Sequence, residues 1–334
     1  MDPLLRAMTR TFARSHPGSL DRSRVVTYLT PPRLCSFPEE LDQLEYSSRS
    51  FVFPRDGPRI LRAWGSLDDP AFVAVEPART RWKVTAWGVP PARARAAVRA
   101  IFSLDHPIEQ FYLQLRHEPV LSSCARDFRG LRLPRDSGLF EALVHSVIGQ
   151  QLSVSAANTI RRRLVESAGT LREVDGVSVP WVPGPRRFRS MGARRLRACG
   201  LSSAKVRTIL GLAERETAGA FRGSSWNRAP AARAVERLDR EPGVGRWTAE
   251  NALLRGVGRT DLFVAGDLGV RTALAAYGVV PRNAPESEAR DWADRHYPGW
   301  GSYATLYLWR RWVADGAPRD PGSLAASRAS RRSE

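Results

Sequence analysis

Cysteine is scarce in this 334-residue chain: Cys35, Cys124 and Cys199 are an odd number, far apart, and belong to no CxxC or Cys/His cluster. A disulfide framework and a zinc or iron–sulfur site are therefore not indicated, and the three read as buried or incidental thiols. Lysine is scarcer still, at Lys83 and Lys205 only. No apolar run approaches the ~18 to 20 residues that cross a bilayer, and the opening MDPLLRAMTRTFARSHPG is broken by Arg and His before a signal-peptide core can form. The expectation is a cytoplasmic protein without a membrane partner. Negative charge is short as well: 34 Asp and Glu face 52 Lys and Arg, a net charge of +18.

Hydrophobic residues make up 43% and charged residues 26%, the balance of a folded chain rather than a disordered or collagenous one. At roughly 150 residues per domain, the length fits about two domains. Residues 1–24 and 318–334 carry net charges of +3 and +2, which leaves +13 on residues 25–317. So large an excess points to a polyanion, such as nucleic acid or anionic membrane. That the excess is nearly all Arg is compatible with phosphate recognition, but also with the codon usage of a GC-rich genome.

Residues 1–24 and 318–334, rich in Arg, Ser, Pro and Gly, read as disordered basic arms. From 25 to 104 the chain reads as a small α/β domain. SFVF (50–53), ILRAWGSL (60–67), FVAVE (72–76) and WKVTAWG (82–88) are predicted strands, and a helix is predicted over 92–104, with Pro91 suited to its first turn. From 105 to 317 only helices are predicted: apolar residues recur at i, i+3, i+4 in segments at 107–117, 139–150, 153–167, 203–221, 231–240, 247–257, 268–277, 286–296 and 302–315. Ser137, Ser153 and Ser202 stand where N-caps stand.

The most specific string is LDREPGVGRWTAENALL (238–254), two helical segments joined by Pro242, Gly243, Val244 and Gly245. Two glycines in so tight a turn let the backbone adopt positive φ and approach a ligand, with N–H groups converging at a helix N-terminus. A Pro-Gly joint alone is more often only a turn. Downstream, in RTDLFVAGDLGVRTALAAYG (259–278), Asp267 opens a helix. An Asp there is usually an N-cap, yet a capped carboxylate is also held and aimed outward, so capping and catalysis are compatible.

Together PGVGRWTA, the Phe-x-x-x-Asp-Leu-Gly-Val-Arg string, GWGSYATLYLW (299–309) and LFEALVHSVIGQQLSVSAA (139–157) resemble the helix–hairpin–helix DNA glycosylases, nearest in pattern to the bacterial 3-methyladenine-DNA glycosylase II family. The resemblance implies an α+β fold, with a small N-terminal antiparallel-sheet domain followed by an all-helical helix–hairpin–helix glycosylase domain. It also implies a monomer acting on double-stranded DNA with a damaged base. Main-chain N–H groups of Gly243, Val244 and Gly245 would hold a phosphate, hairpin carbonyls would hold a monovalent cation, and Asp267 would be catalytic. Such phosphate contacts position a protein and do not read sequence.

Members that also cut the strand carry a lysine nucleophile where this chain has Trp247, so the resemblance implies a monofunctional, hydrolytic enzyme without a cofactor. The absence of Cys after Cys199 separates it from the iron–sulfur members. Trp247 and Trp309 match base-pocket walls, whereas Trp300 and Tyr303 read as core. Asn251 falls where some members place an aromatic pocket residue, which opens the range to deaminated or oxidised bases. The loop Gln150–Gln151–Leu152 matches the wedge that fills the gap behind a flipped nucleotide, Gln151 standing where an apolar wedge is usual. A helix–hairpin–helix DNA-binding protein without catalysis would share all of this except the need for Asp267.

Overall fold

A computed structural model of the chain describes residues 23–40, 50–116 and 119–315. The arms expected over 1–24 and 318–334 lie outside these residues, except for Ser23 and Arg24, and Arg24 already opens the first strand.

Five strands form an antiparallel sheet in the order β1-β5-β4-β3-β2: β1 Arg24–Leu29, β2 Arg55–Asp56, β3 Arg59–Trp64, β4 Ala71–Ala78 and β5 Arg81–Trp87. The Pro91–Ile101 helix lays Ala94, Ala97, Val98 and Ile101 on one face, over Ile60, Val73, Val75, Val84 and Ala86. The other face is also covered, because Leu61, Ala63, Phe72, Ala74 and Trp87 pack against Val174, Val179 and Trp181. Burial on both faces is why these strands show apolar runs in place of strict alternation.

What covers that second face corrects the all-helical expectation for the second domain. Leu171–Val174 (β6) and Val177–Pro180 (β7) form an antiparallel hairpin. Its two-residue turn, Asp175-Gly176, has φ of +48° and +79°, both left-handed as the tight hairpin turn requires. Arg59 binds the tip through Asp175 at 2.9 Å, and the Trp181 indole donates to the Leu67 carbonyl at 3.0 Å. SFVF, predicted as a strand, is instead a 3-10 turn over Ser50–Val52, and Val52 and Phe53 pack into the core between the sheet and the Pro91–Ile101 helix.

The helices follow the predicted periodicity elsewhere, with one long addition and three short ones, Pro119–Ser122, Cys124–Asp127 and Ser225–Arg228. Pro185–Ala198 is a helix that buries Phe188, Met191 and Leu196, and Gly192 interrupts it at φ +64°. Ser153 and Ser202 are side-chain caps, accepting from Ala156 N–H and Lys205 N–H. Ser137 is not: the Leu139–Gly149 helix starts after Gly138, and the Ser137 N–H donates to Glu141 Oε2 at 2.6 Å. Glu141 meets Arg62 of β3 at 2.7 Å, and both side chains are buried. This pair ties the sheet to the helical region.

Candidate active site

The site is built at three joints between helices. The first is the hairpin between Ala231–Asp239 and Arg246–Ala252. Gly243 alone takes positive φ, +81°, and a Cβ on it would collide with Thr208 Oγ1. Gly245 has an ordinary φ of −89°, so positive φ, expected of both glycines, is not its reason for being there; it faces open space. Val244 also departs from expectation: its N–H donates to the Glu241 carbonyl at 3.0 Å and its side chain is buried. Among the described residues, the N–H groups of Gly245, Arg246 and Trp247 have no acceptor, as at any uncapped helix start. A Cβ on Gly245 would meet nothing within 4 Å, so the space beside this helix start is open.

The second joint is the loop after the Leu139–Gly149 helix. Gln151 sits in the left-handed region at φ +54°, uncommon for a residue with a Cβ, and is exposed together with Leu152. Its neighbour holds it there. The Gln150 amide donates to the Gly243 carbonyl at 3.0 Å and to Thr248 Oγ1 at 2.9 Å, while Lys205 Nζ donates to the carbonyls of Ile148 (2.9 Å) and Gln150 (2.7 Å). Gln150, grouped with the DNA-contacting residues from sequence, is thus a strut between this loop and the hairpin. Burial and the nearby Arg161 push the Lys205 ammonium below its ordinary range.

The third joint carries the carboxylate. Asp267 caps the Leu268–Ala276 helix, with Oδ1 accepting from Val270 N–H at 3.0 Å. Oδ1 also accepts from the Trp309 indole at 3.0 Å, and Oδ2 from the Trp247 indole at 3.2 Å. Gly269 keeps the space beside them clear, since a Cβ there would lie 3.1 Å from Asp267 Oδ1. Among the described residues Asp267 has no ion-pair partner, and it is half-buried, with Leu268 beside it 59% exposed. Trp309 and Trp247 therefore flank Asp267, and both indoles donate to it. Trp300 and Tyr303 lie in the core.

A turn of π-helix, Leu253–Val257, follows the hairpin helix and carries Arg255 under Trp309, guanidinium 5.3 Å from the ring centroid. π-turns of this kind cluster at functional sites. Asn251 lies between, 5% exposed. Sequence reading passed over Arg255 and weighed Lys205 only as an amine nucleophile, because neither periodicity nor a motif marks a side chain that crosses to another helix.

A separate buried group, Asp136, Glu141 and His145, brings one ligand atom from each residue within 4.8 Å of the others. The Arg62 guanidinium already supplies the positive charge there. Burial would raise the Glu141 carboxyl, but Arg62, with His145, outweighs it and holds Glu141 well below the carboxylate range.

Residues 144–295 match the HhH-GPD superfamily of base excision DNA repair proteins. This helical region belongs to that superfamily. The DNA-3-methyladenine glycosylase of Bacillus subtilis (strain 168) is 28% identical over 63% of this chain and 69% of its own length. A Mycobacterium tuberculosis protein (strain CDC 1551 / Oshkosh) described as a probable bifunctional transcriptional activator/DNA repair enzyme AlkA is 31% identical, over 65% of this chain and 42% of its own length. The chain thus spans less than half of that relative. The solved 3-methyladenine DNA-glycosylase of Archaeoglobus fulgidus has the same fold, with a TM-score of 0.73 at 21% identity over 85% of this chain and 97% of that one. No helix among the described residues is long and apolar enough to cross a membrane.

Proposed function

We propose that the chain is a monofunctional DNA glycosylase of base excision repair, hydrolysing the N-glycosidic bond of alkylated bases in duplex DNA as a cytoplasmic monomer. The superfamily match and the 3-methyladenine relatives support this reaction class. The observation that carries it is the half-buried Asp267 carboxylate, held by three neutral N–H donors at a helix start and facing no cation of the protein's own.

As the C1′–N bond breaks, its electron pair leaves with the base and positive charge builds on the deoxyribose. A fixed carboxylate stabilises that charge, and water then adds at C1′ and gives up a proton to solvent. Orientation is inherited from the two indoles and the helix N–H, so Asp267 needs no rearrangement to meet the charge. A cationic alkylpurine departs neutral, which removes the need for a general acid. The free N–H groups of Gly245, Arg246 and Trp247 suit a backbone phosphate next to the flipped nucleotide. Gln151 and Leu152 would fill the vacated space. No step calls for a cofactor. A cation at the hairpin would have to share the Gly243 and Glu241 carbonyls, which already accept from Gln150 and Val244.

Lys205 is committed to two carbonyls, and Trp247 offers no amine, so no lysine stands ready for a Schiff base. The test is a set of duplexes with defined lesions. Free base should be released, the abasic strand should stay intact, and borohydride should trap no enzyme–DNA adduct. A trapped adduct, or no release from any duplex, overturns the proposal.

A further inference from the structure

Among the described residues, Asn251 is a side chain at this site that makes no hydrogen bond. It lies one turn after Trp247 on the Arg246–Ala252 helix, so the two side chains leave the same helix face. Trp247 spends its indole N–H on Asp267, and one further turn along, Arg255 stacks on Trp309. Among the described residues the Asn251 amide has no hydrogen-bond partner. Although the residue is only 5% exposed, its amide atoms are not among the sealed ones, so they reach accessible space. Buried side-chain amides are paired in the great majority of cases, because an unpaired one has given up its hydration for nothing. What satisfies this one must come from outside.

We propose that Asn251 reads the flipped base. Its carboxamide presents a donor and an acceptor side by side and pairs with an adjacent donor and acceptor on the six-membered ring of a purine. The site then favours bases whose edge is free over bases in which it is bridged. Trp309 points the same way: a ring that already faces a guanidinium gains less from a cationic base on its other face, so stacking on positive charge is not the sole basis of choice. The inference rests on the glycosylase reading and adds to it the feature of the base that is recognised.

The test compares wild type with Asn251→Leu, which keeps the branching at Cγ but lacks the amide, on duplexes bearing 7-methylguanine, hypoxanthine or 1,N6-ethenoadenine. The first two keep the edge free; the third bridges it. With the variant, kcat/KM should fall about tenfold on the first two and stay level or rise on the third, the scale of one lost hydrogen bond to the substrate. Its Tm should equal or exceed that of wild type, because no protein partner is stranded. An equal change on all three substrates, or a Tm several degrees lower, overturns the assignment while the glycosylase reading stands. No release by wild type from any of the three would remove both.

Discussion

Two carboxylates at helix starts in this protein are held in opposite ways. Glu141, in the first turn of Leu139–Gly149, is sealed from solvent and meets a guanidinium from the other half of the molecule. Asp267, capping Leu268–Ala276, is half-open and meets only neutral N–H donors. The first has its charge cancelled within the protein and serves to join sheet to helices. The second keeps its charge uncancelled, and a positively charged species can be stabilised there. A charge is available for chemistry only where the fold supplies geometry without a counterion.

The strongest way to break this comparison is to remove the charge at the open site. Asp267→Asn should lower base release about a thousandfold or more while leaving Tm and binding to an abasic-analogue duplex nearly unchanged, since the amide oxygen still accepts from an indole. Turnover retained in single-turnover assays would place the chemistry elsewhere. Removing a partner at the sealed site should do the reverse. Arg62→Met strands a buried carboxylate and should cost about 3–5 kcal/mol in urea unfolding, with release per folded molecule unaltered.

The sealed pair also has a pH signature. The folded Glu141 carboxyl sits below its ordinary value of 4.5, so its contribution is complete above about that pH and is lost as pH falls through the folded value. The difference in unfolding free energy between wild type and Glu141→Gln should therefore shrink on acidification below pH 4.5. Glu40 and Glu250, raised by burial, work in the opposite sense in both proteins and leave this difference untouched. A difference that holds constant down to pH 3 would show that the ion pair contributes no net stability.

The smallest expected effects lie in the strut. Gln151→Ala should slow excision from stable base pairs more than from mismatches, where unstacking costs a few kcal/mol less, and Gln150→Ala should reproduce that split at about tenfold or less by freeing the loop from the hairpin. Equal slowing on both substrates by either variant would take the loop out of flipping.

Much of the site was legible as sequence because its parts are local. A Pro-Gly-Val-Gly turn between two amphipathic helices, an Asp before a third and tryptophans at set intervals are contiguous patterns with short-range causes. The β6–β7 hairpin had an equally local signal, Val-Asp-Gly-Val at 174–177, in a stretch to which no element is assigned from sequence. The Pro185–Ala198 helix was obscured by its arginines, which leave only three wide-spaced apolar anchors.

By itself, the amino-acid sequence determined the main helices of the second half, the cap at Asp267, the tight turn at Gly243 and the absence of a lysine at Trp247. Each depends on residues within one or two turns of one another. Only the tertiary structure decided that both indoles converge on one carboxylate, that Gln150 is a strut and Lys205 its brace, that Val244 faces inward, that Arg62 neutralises Glu141, and that Asn251 is left without a partner. Those outcomes depend on which helix faces meet across the core, and side chains from distant positions find or miss one another only when those faces pack.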